Sequence, residues 1–182
     1  RLMTFGQDKA WRKNVREHAE PGMTVLEVGC GPGSFAEDIT GVNLTCLDPS
    51  PEMLKVAKRR VDSARNSRGE SPADYVQAIA EAIPLPDNTY DRVFCLFSFR
   101  DFQDKEKGLE EILRVLKPGG QLVICDAGKA NWFFHCGAPF PTMLVGHGWL
   151  IAEPRLHTLP IVGQMRQFAG RQYAVEMHIF NA

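Results

Sequence analysis

Short runs of branched aliphatic residues alternate along this chain with longer stretches whose apolar positions recur every three or four residues. The first pattern reads as buried strand and the second as amphipathic helix. Strands are predicted at residues 25–28, 44–47, 74–79, 90–96 and 121–125, with a closing pair at 150–159 and 173–180. Met53, Leu54, Ala57, Val61 and Ala64 form the apolar stripe of a helix running to about Arg68. Ser50 is its N-cap and Pro51 its first helical residue. Lys55, Lys58, Arg59, Arg60 and Arg65 fall largely on the opposite face and read as solvated. Leu109, Ile112, Leu113 and Leu116 form a second stripe, capped by Asp104 and stopped by Pro118-Gly119-Gly120. Residues 8–19 predict an N-terminal helix with Trp11 and Val15 on one face, and residues 34–39 a short helix. Strands alternating with helices predict a doubly wound, Rossmann-like α/β fold.

The junction after the first strand carries the chemistry. Glu27-Val28-Gly29-Cys30-Gly31-Pro32-Gly33 places glycines at alternate positions. Glycine allows positive φ and lets a ligand approach where a Cβ would block it. A dinucleotide fingerprint needs its third glycine five positions after the first, and here it comes at four. Glu27, beside the turn, suits a ligand with positive charge or hydroxyls better than a pyrophosphate. Asp48 ends the second strand 19 residues beyond Gly29, where an acid can accept hydrogen bonds from ribose hydroxyls. The alternatives are a purely structural turn and an Asp48 that caps the next turn.

Glu27 to Gly33 resembles the first motif of class I S-adenosylmethionine (SAM) methyltransferases, and Asp48-Pro49-Ser50-Pro51-Glu52-Met53 resembles the segment that follows it there. The resemblance implies a seven-stranded, mostly parallel sheet with an antiparallel C-terminal strand. It implies SAM as cofactor, bordered by Glu27, Gly29, Cys30, Gly31, Gly33, Asp48, Pro49, Met53, Ala80, Glu81 and Phe97. Ile79 stands where the family has an aspartate for the adenine amino group, which removes one acceptor. Met3-Thr4-Phe5-Gly6 before Trp11-Arg12-Lys13, and Phe97-Ser98-Phe99-Arg100-Asp101-Phe102-Gln103-Asp104, are similar to segments of the ubiquinone/menaquinone biosynthesis C-methyltransferases. This implies methyl transfer to a small-molecule acceptor such as a quinone precursor. Arg100 and Asp101 are then the acceptor-side catalytic pair, with Phe97, Phe99 and Phe102 partly excluding water; a surface ion pair is the competing reading. Other small-molecule O- or N-methyltransferases, a nicotinamide-dependent oxidoreductase and a non-catalytic SAM-binding protein are the rival functions. The resemblance weakens after Gly128, and the chain is short relative to the family over residues 129–149. Trp132, Phe133, Phe134 and Phe140 there belong to the core or line the acceptor site.

Composition narrows these classes. The 182 residues predict one methyltransferase domain over 1–182. A net charge of -1 gives no reason to expect nucleic acid as a partner. No apolar run approaches a membrane span, although a lipophilic acceptor would bring the protein to a membrane surface. Cys30, Cys46, Cys95, Cys125 and Cys136 lack Cys-x-x-Cys spacing and read as reduced thiols of a cytoplasmic protein. No metal site is expected, since His135 and Cys136 lack partners at ligand spacing.

Overall fold

A computed structural model describes residues 12–13, 15–127, 161–162, 166–168 and 171–180, with side chains described no further than residue 125. Five strands form a parallel sheet: β1 (Thr24–Val28), β2 (Asn43–Asp48), β3 (Asp74–Gln77), β4 (Tyr90–Leu96) and β5 (Leu116–Ala127). Their spatial order is β3-β2-β1-β4-β5. The order reverses between β1 and β4, and open sheets of this kind bind ligands at the carboxyl ends of the strands flanking such a switch. Helix α1 (Pro51–Ser67) follows β2, and helix α2 (Lys105–Val115) follows β4.

Alternation along the strands divides the core between the two faces. Leu26, Val28, Val93, Cys95, Leu122 and Ile124 meet Ile112 and Val115 of α2 on one face. Val25, Leu44, Cys46, Phe94, Val123 and Cys125 meet Ala57 and Val61 of α1, together with Val15 and Phe35, on the other. Full burial of each larger side chain contributes about 1.5–3 kcal/mol. The caps form as the sequence predicts. Ser50 Oγ accepts from Met53 N at 3.2 Å, and Asp104 Oδ1 accepts from Lys107 N at 2.9 Å.

Several expectations change. Residues 34–39 form only a 3-10 turn, Ala36–Asp38. Pro118-Gly119-Gly120 does not lie outside the fifth strand: Tyr90 pairs Leu116 and Arg92 pairs Gln121, so these residues bulge within β5, with Gly119 at φ +79°. Arg65 is buried rather than solvated, because its guanidinium reaches the carbonyls of Val42 (2.8 Å) and Ser71 (2.5 Å). Arg60 and Arg68 likewise bond the carbonyls of Pro32, Glu37 and Ile39. Met53, expected in the apolar stripe, is 42% exposed.

The C-terminal strand also departs from expectation. Strand β8 (Arg171–Phe180) pairs parallel with β5, not antiparallel. The antiparallel partners are short: β6 (Ile161–Val162) and β7 (Arg166–Phe168), each against β8. Parallel pairing needs a crossover of a dozen or more residues, and the chain between β5 and β8 is long enough for one. The expected strand at 150–159, the aromatic stretch at 129–149 and the Met3–Gly6 and Trp11 motif positions lie outside the described residues.

Candidate functional site

The glycine turn stands at the carboxyl end of β1, at the switch point of the sheet. All three glycines have positive φ, but each meets different surroundings. A Cβ on Gly29 would lie 2.4 Å from Ser98 Cβ, so this glycine admits the loop after β4. A Cβ on Gly33 would lie 2.8 Å from Val61 Cγ2, so this one admits α1. A Cβ on Gly31 would meet nothing within 4 Å. Of the three, Gly31 alone faces open space among the described residues.

Asp48 binds the turn to its neighbours. Its Oδ2 accepts from Gly31 N at 2.7 Å and its Oδ1 from Ser50 N at 2.9 Å. The side chain thereby fixes both the turn and the start of α1, while each oxygen retains a further lone pair. Pro49 beside it is exposed. Gln77 at the end of β3 reaches the Pro49 carbonyl at 3.4 Å. Met53 and Ile79 (47% exposed) are the exposed large hydrophobic side chains among the described residues, and both follow the carboxyl ends of strands flanking Asp48.

Glu27 is 2% exposed. Alternation along β1 turns it to the α1 face, where the Ala36 N–H bonds it, and its register partners are Cys46 and Phe94. Its Oε2 is buried without a hydrogen-bond partner. Burial first, and then the Asp48 charge, push its carboxyl up to about 8; the Ala36 bond and the Arg12 charge oppose this. Arg12 also donates to the Ser34 carbonyl at 3.2 Å, just after the turn. Cys30 is 4% exposed. Its thiol is pushed far up by a hydrogen bond to Cys46 and by burial, so it is an inert core thiol that leaves only its backbone to a ligand. Cys30, Cys46, Cys95 and Cys125 are all buried.

The remaining predicted residues separate. Ala80 is buried. Glu81 Oε1 accepts from Gln103 N (2.7 Å) and Asp104 N (3.0 Å), so it fastens the loop that carries Arg100 and Asp101. Phe97 takes φ +57°, an unusual conformation for an aromatic residue, and its N–H bonds the Cys125 carbonyl at 2.7 Å. Arg100 Nε lies 3.9 Å from Asp101 Oδ1, and the Asp101 side chain is 74% exposed. Phe99 and Phe102 stack edge-to-face at 5.2 Å inside the core, so they do not shield Asp101 from water as expected. Sequence reasoning gave no role to Ser98. Its Oγ donates to the Val28 carbonyl at 2.8 Å and closes the contact that Gly29 makes possible. The glycine spacing signalled a close approach without naming what approaches. Among the described residues no cluster of His, Cys, Asp and Glu suits a metal ion, and no helix is long and apolar enough to cross a membrane.

Comparison with known proteins agrees with this geometry. The methyltransferase domain family profile matches residues 26–124. The ubiquinone/menaquinone biosynthesis C-methyltransferase UbiE of Shewanella sediminis is 35% identical over 135 residues, 70% of this chain and 53% of that protein. The enzyme of the same name from Enterobacter sp. is 34% identical, across 97% of this chain and 69% of its own length. The chain thus spans about half the length of the first of these relatives. The crystal structure of a SAM-dependent methyltransferase from Aquifex aeolicus superposes with a TM-score of 0.60 at 29% identity, covering 78% of this chain and 80% of that one. With the glycine turn, the acid at the end of β2 and the sheet order all in place, the chain belongs to the class I SAM-dependent methyltransferase family.

Proposed function

We propose that this chain, as one methyltransferase domain over residues 1–182, binds SAM at the β1–β4 switch point. We further propose that it transfers the methyl group to carbon on a small-molecule quinone precursor. The observation that carries the cofactor reading is the open space at Gly31, whose N–H is held by the buried Asp48 carboxylate, with the buried Glu27 carboxyl at the end of β1 just before the turn. SAM supplies a methyl group made electrophilic by a cationic sulfur. Asp48, fixed by two backbone N–H groups, has lone pairs left for ribose hydroxyls. Charge-assisted bonds of that kind contribute roughly 1.5–3 kcal/mol each. Met53 and Ile79 offer apolar surface to a base, and with Ile79 lacking an acceptor the base edge is left to backbone groups near Ala80. Gly29, Cys30 and Gly33 shape the turn, and Pro49, Glu81 and Phe97 border the same crevice.

Arg100 and Asp101 are the proposed acceptor-side pair, at the ligand-facing end of β4. Ring methylation must remove a proton from the carbon that gains the methyl group. An exposed carboxylate such as Asp101 serves this directly or through a water it orients. The C-methylation reading rests on the named relatives. The acceptor is lipophilic on this reading, so the protein works in the cytoplasm or at a membrane surface, with no nucleic acid as partner. Calorimetric titration with SAM and with NAD tests the cofactor: SAM binds and NAD does not. Incubation with SAM and a demethylated quinone, followed by mass spectrometry, tests the acceptor; a mass gain of one methylene is expected. No gain with quinone acceptors, alongside normal SAM binding, overturns the quinone assignment alone.

A further inference from the structure

We propose that Glu27 is protonated in the empty site and gives up its proton when the cationic methyl donor binds, so that it discriminates the donor from its neutral demethylated product. The inference rests on the SAM-binding reading above. The geometry leaves a carboxyl group in a poor setting for a negative charge. Glu27 is 2% exposed, one of its oxygens has no hydrogen-bond partner, and Asp48 places a like charge nearby. Arg12 from the N-terminal segment is the cation acting on it, and Ala36 from the 3-10 turn supplies a backbone bond. Cys30 from the turn, its thiol pushed up by a hydrogen bond to Cys46 and by burial, lies near it, and Cys46 of β2 and Phe94 of β4 are its register partners. With the carboxyl pushed up to about 8, roughly nine-tenths of the empty protein carries the proton at pH 7.

A ligand bringing net positive charge into this low-dielectric space favours the ionised carboxylate. The proton passes to solvent, and the unpartnered oxygen gains an opposite charge. Methyl transfer sends the C–S bonding electrons to sulfur, so the bound product is a neutral thioether. Its loss of one positive charge lets Glu27 take up a proton again and weakens the hold on the product. Glu27 is thus a specificity residue for donor over product, using a proton rather than a steric fit.

The test is calorimetry at pH 7 in two buffers of different ionisation enthalpy, which counts protons exchanged on binding. The ligands are SAM and S-adenosylhomocysteine, and the proteins are wild type and Glu27→Gln. Wild type is expected to release up to about 0.9 proton more with SAM than with the homocysteine analogue. Amino and carboxyl groups common to both ligands largely cancel in that difference. In Glu27→Gln the difference vanishes and the donor-to-product affinity ratio shrinks. Equal proton release for the two ligands in wild type overturns the proposal whether or not the variant folds. An unchanged difference in a folded Glu27→Gln overturns it too. Failure of wild type to bind SAM at all instead overturns the cofactor reading on which it depends, and the proposal with it.

Discussion

Alanine substitution at each of the three glycines separates fold from ligand. Every one of them takes positive φ, and a non-glycine residue there costs roughly 1–2 kcal/mol. At Gly31 that is the whole cost, because a Cβ meets nothing within 4 Å. At Gly29 the Cβ would stand 2.4 Å from Ser98 Cβ and 2.6 Å from its Oγ, and at Gly33 it would stand 2.8 Å from Val61 Cγ2 and 3.1 Å from Ala57 Cα. Overpacking of this kind adds about 1–3 kcal/mol. Gly29→Ala and Gly33→Ala should therefore lose roughly 2–5 kcal/mol. For a chain of this size about 1 kcal/mol corresponds to some 2–4 °C in melting temperature. Urea unfolding and thermal melts measure the stability order, and SAM calorimetry on folded protein measures binding. Gly31→Ala should be the most stable of the three and the one whose SAM affinity falls most relative to its loss of stability. Gly31→Val should remain folded and lose binding. Equal destabilisation at all three positions would refute the assignment of separate surroundings. Normal SAM binding by Gly31→Val would refute the claim that Gly31 borders the cofactor.

Three further outcomes follow from the same structure. Asp48→Ala removes the acceptor of Gly31 N and Ser50 N, so SAM affinity in calorimetry should drop by at least the roughly 1.5–3 kcal/mol of a charge-assisted bond, with some loss of stability. Arg100→Ala and Asp101→Ala should each cut turnover on the order of 10²-fold with SAM affinity and melting temperature nearly unchanged; retained turnover in Asp101→Asn would remove Asp101 as the base. The Glu27 carboxyl titrates near 8 in the fold against 4.5 in the unfolded chain, so the folded state binds more protons between those values. Its contribution to stability is complete below about pH 4.5 and declines as pH rises toward 8, by up to about 1.4 kcal/mol per pH unit, and Glu27→Gln should flatten that part of the urea-unfolding profile.

The strand and helix pattern was readable because the central strands are buried on both faces and both main helices carry ordinary caps. The β1 turn was readable as a tight glycine turn at the end of a strand, but the spacing did not tell that Gly29 and Gly33 admit Ser98 and Val61 while Gly31 stands open. What could not be read is long-range. Nothing in the periodicity of α1 distinguishes Arg65 from Arg59, yet Arg65 is buried on the carbonyls of Val42 and Ser71. Glu81 lies in a segment that reads as a cofactor border, and only the tertiary fold brings Gln103 N and Asp104 N to its carboxylate. Phe99 and Phe102 look like site aromatics by position, whereas the 3-10 turn Phe99–Asp101 rotates Phe99 into the core and leaves Asp101 outside. The orientation of the last strand depends on a crossover that local pattern does not encode.

The hydrogen bonding of the turn supplies a reason, independent of glycine spacing, for the kind of ligand it takes. A phosphate-binding loop works by presenting unpaired backbone N–H groups. Here those groups are already engaged: Gly29 N and Cys30 N bond the Leu47 carbonyl at 2.8 and 3.0 Å, Gly31 N bonds Asp48, and Gly33 N bonds the Cys30 carbonyl at 2.9 Å. Position 32 is proline and has no N–H to offer. A pyrophosphate entering beside Gly31 would find no donor from residues 29–33 and would meet two acidic side chains. A ligand with hydroxyls and a positive charge meets lone pairs on Asp48 and a carboxyl able to ionise at Glu27. On the proposed SAM reading, a preference for a sulfonium nucleoside over a dinucleotide follows from which groups the fold has already satisfied. Under that proposal Asp48 is the residue on which the preference turns, because the same carboxylate occupies the Gly31 donor and would provide the acceptor.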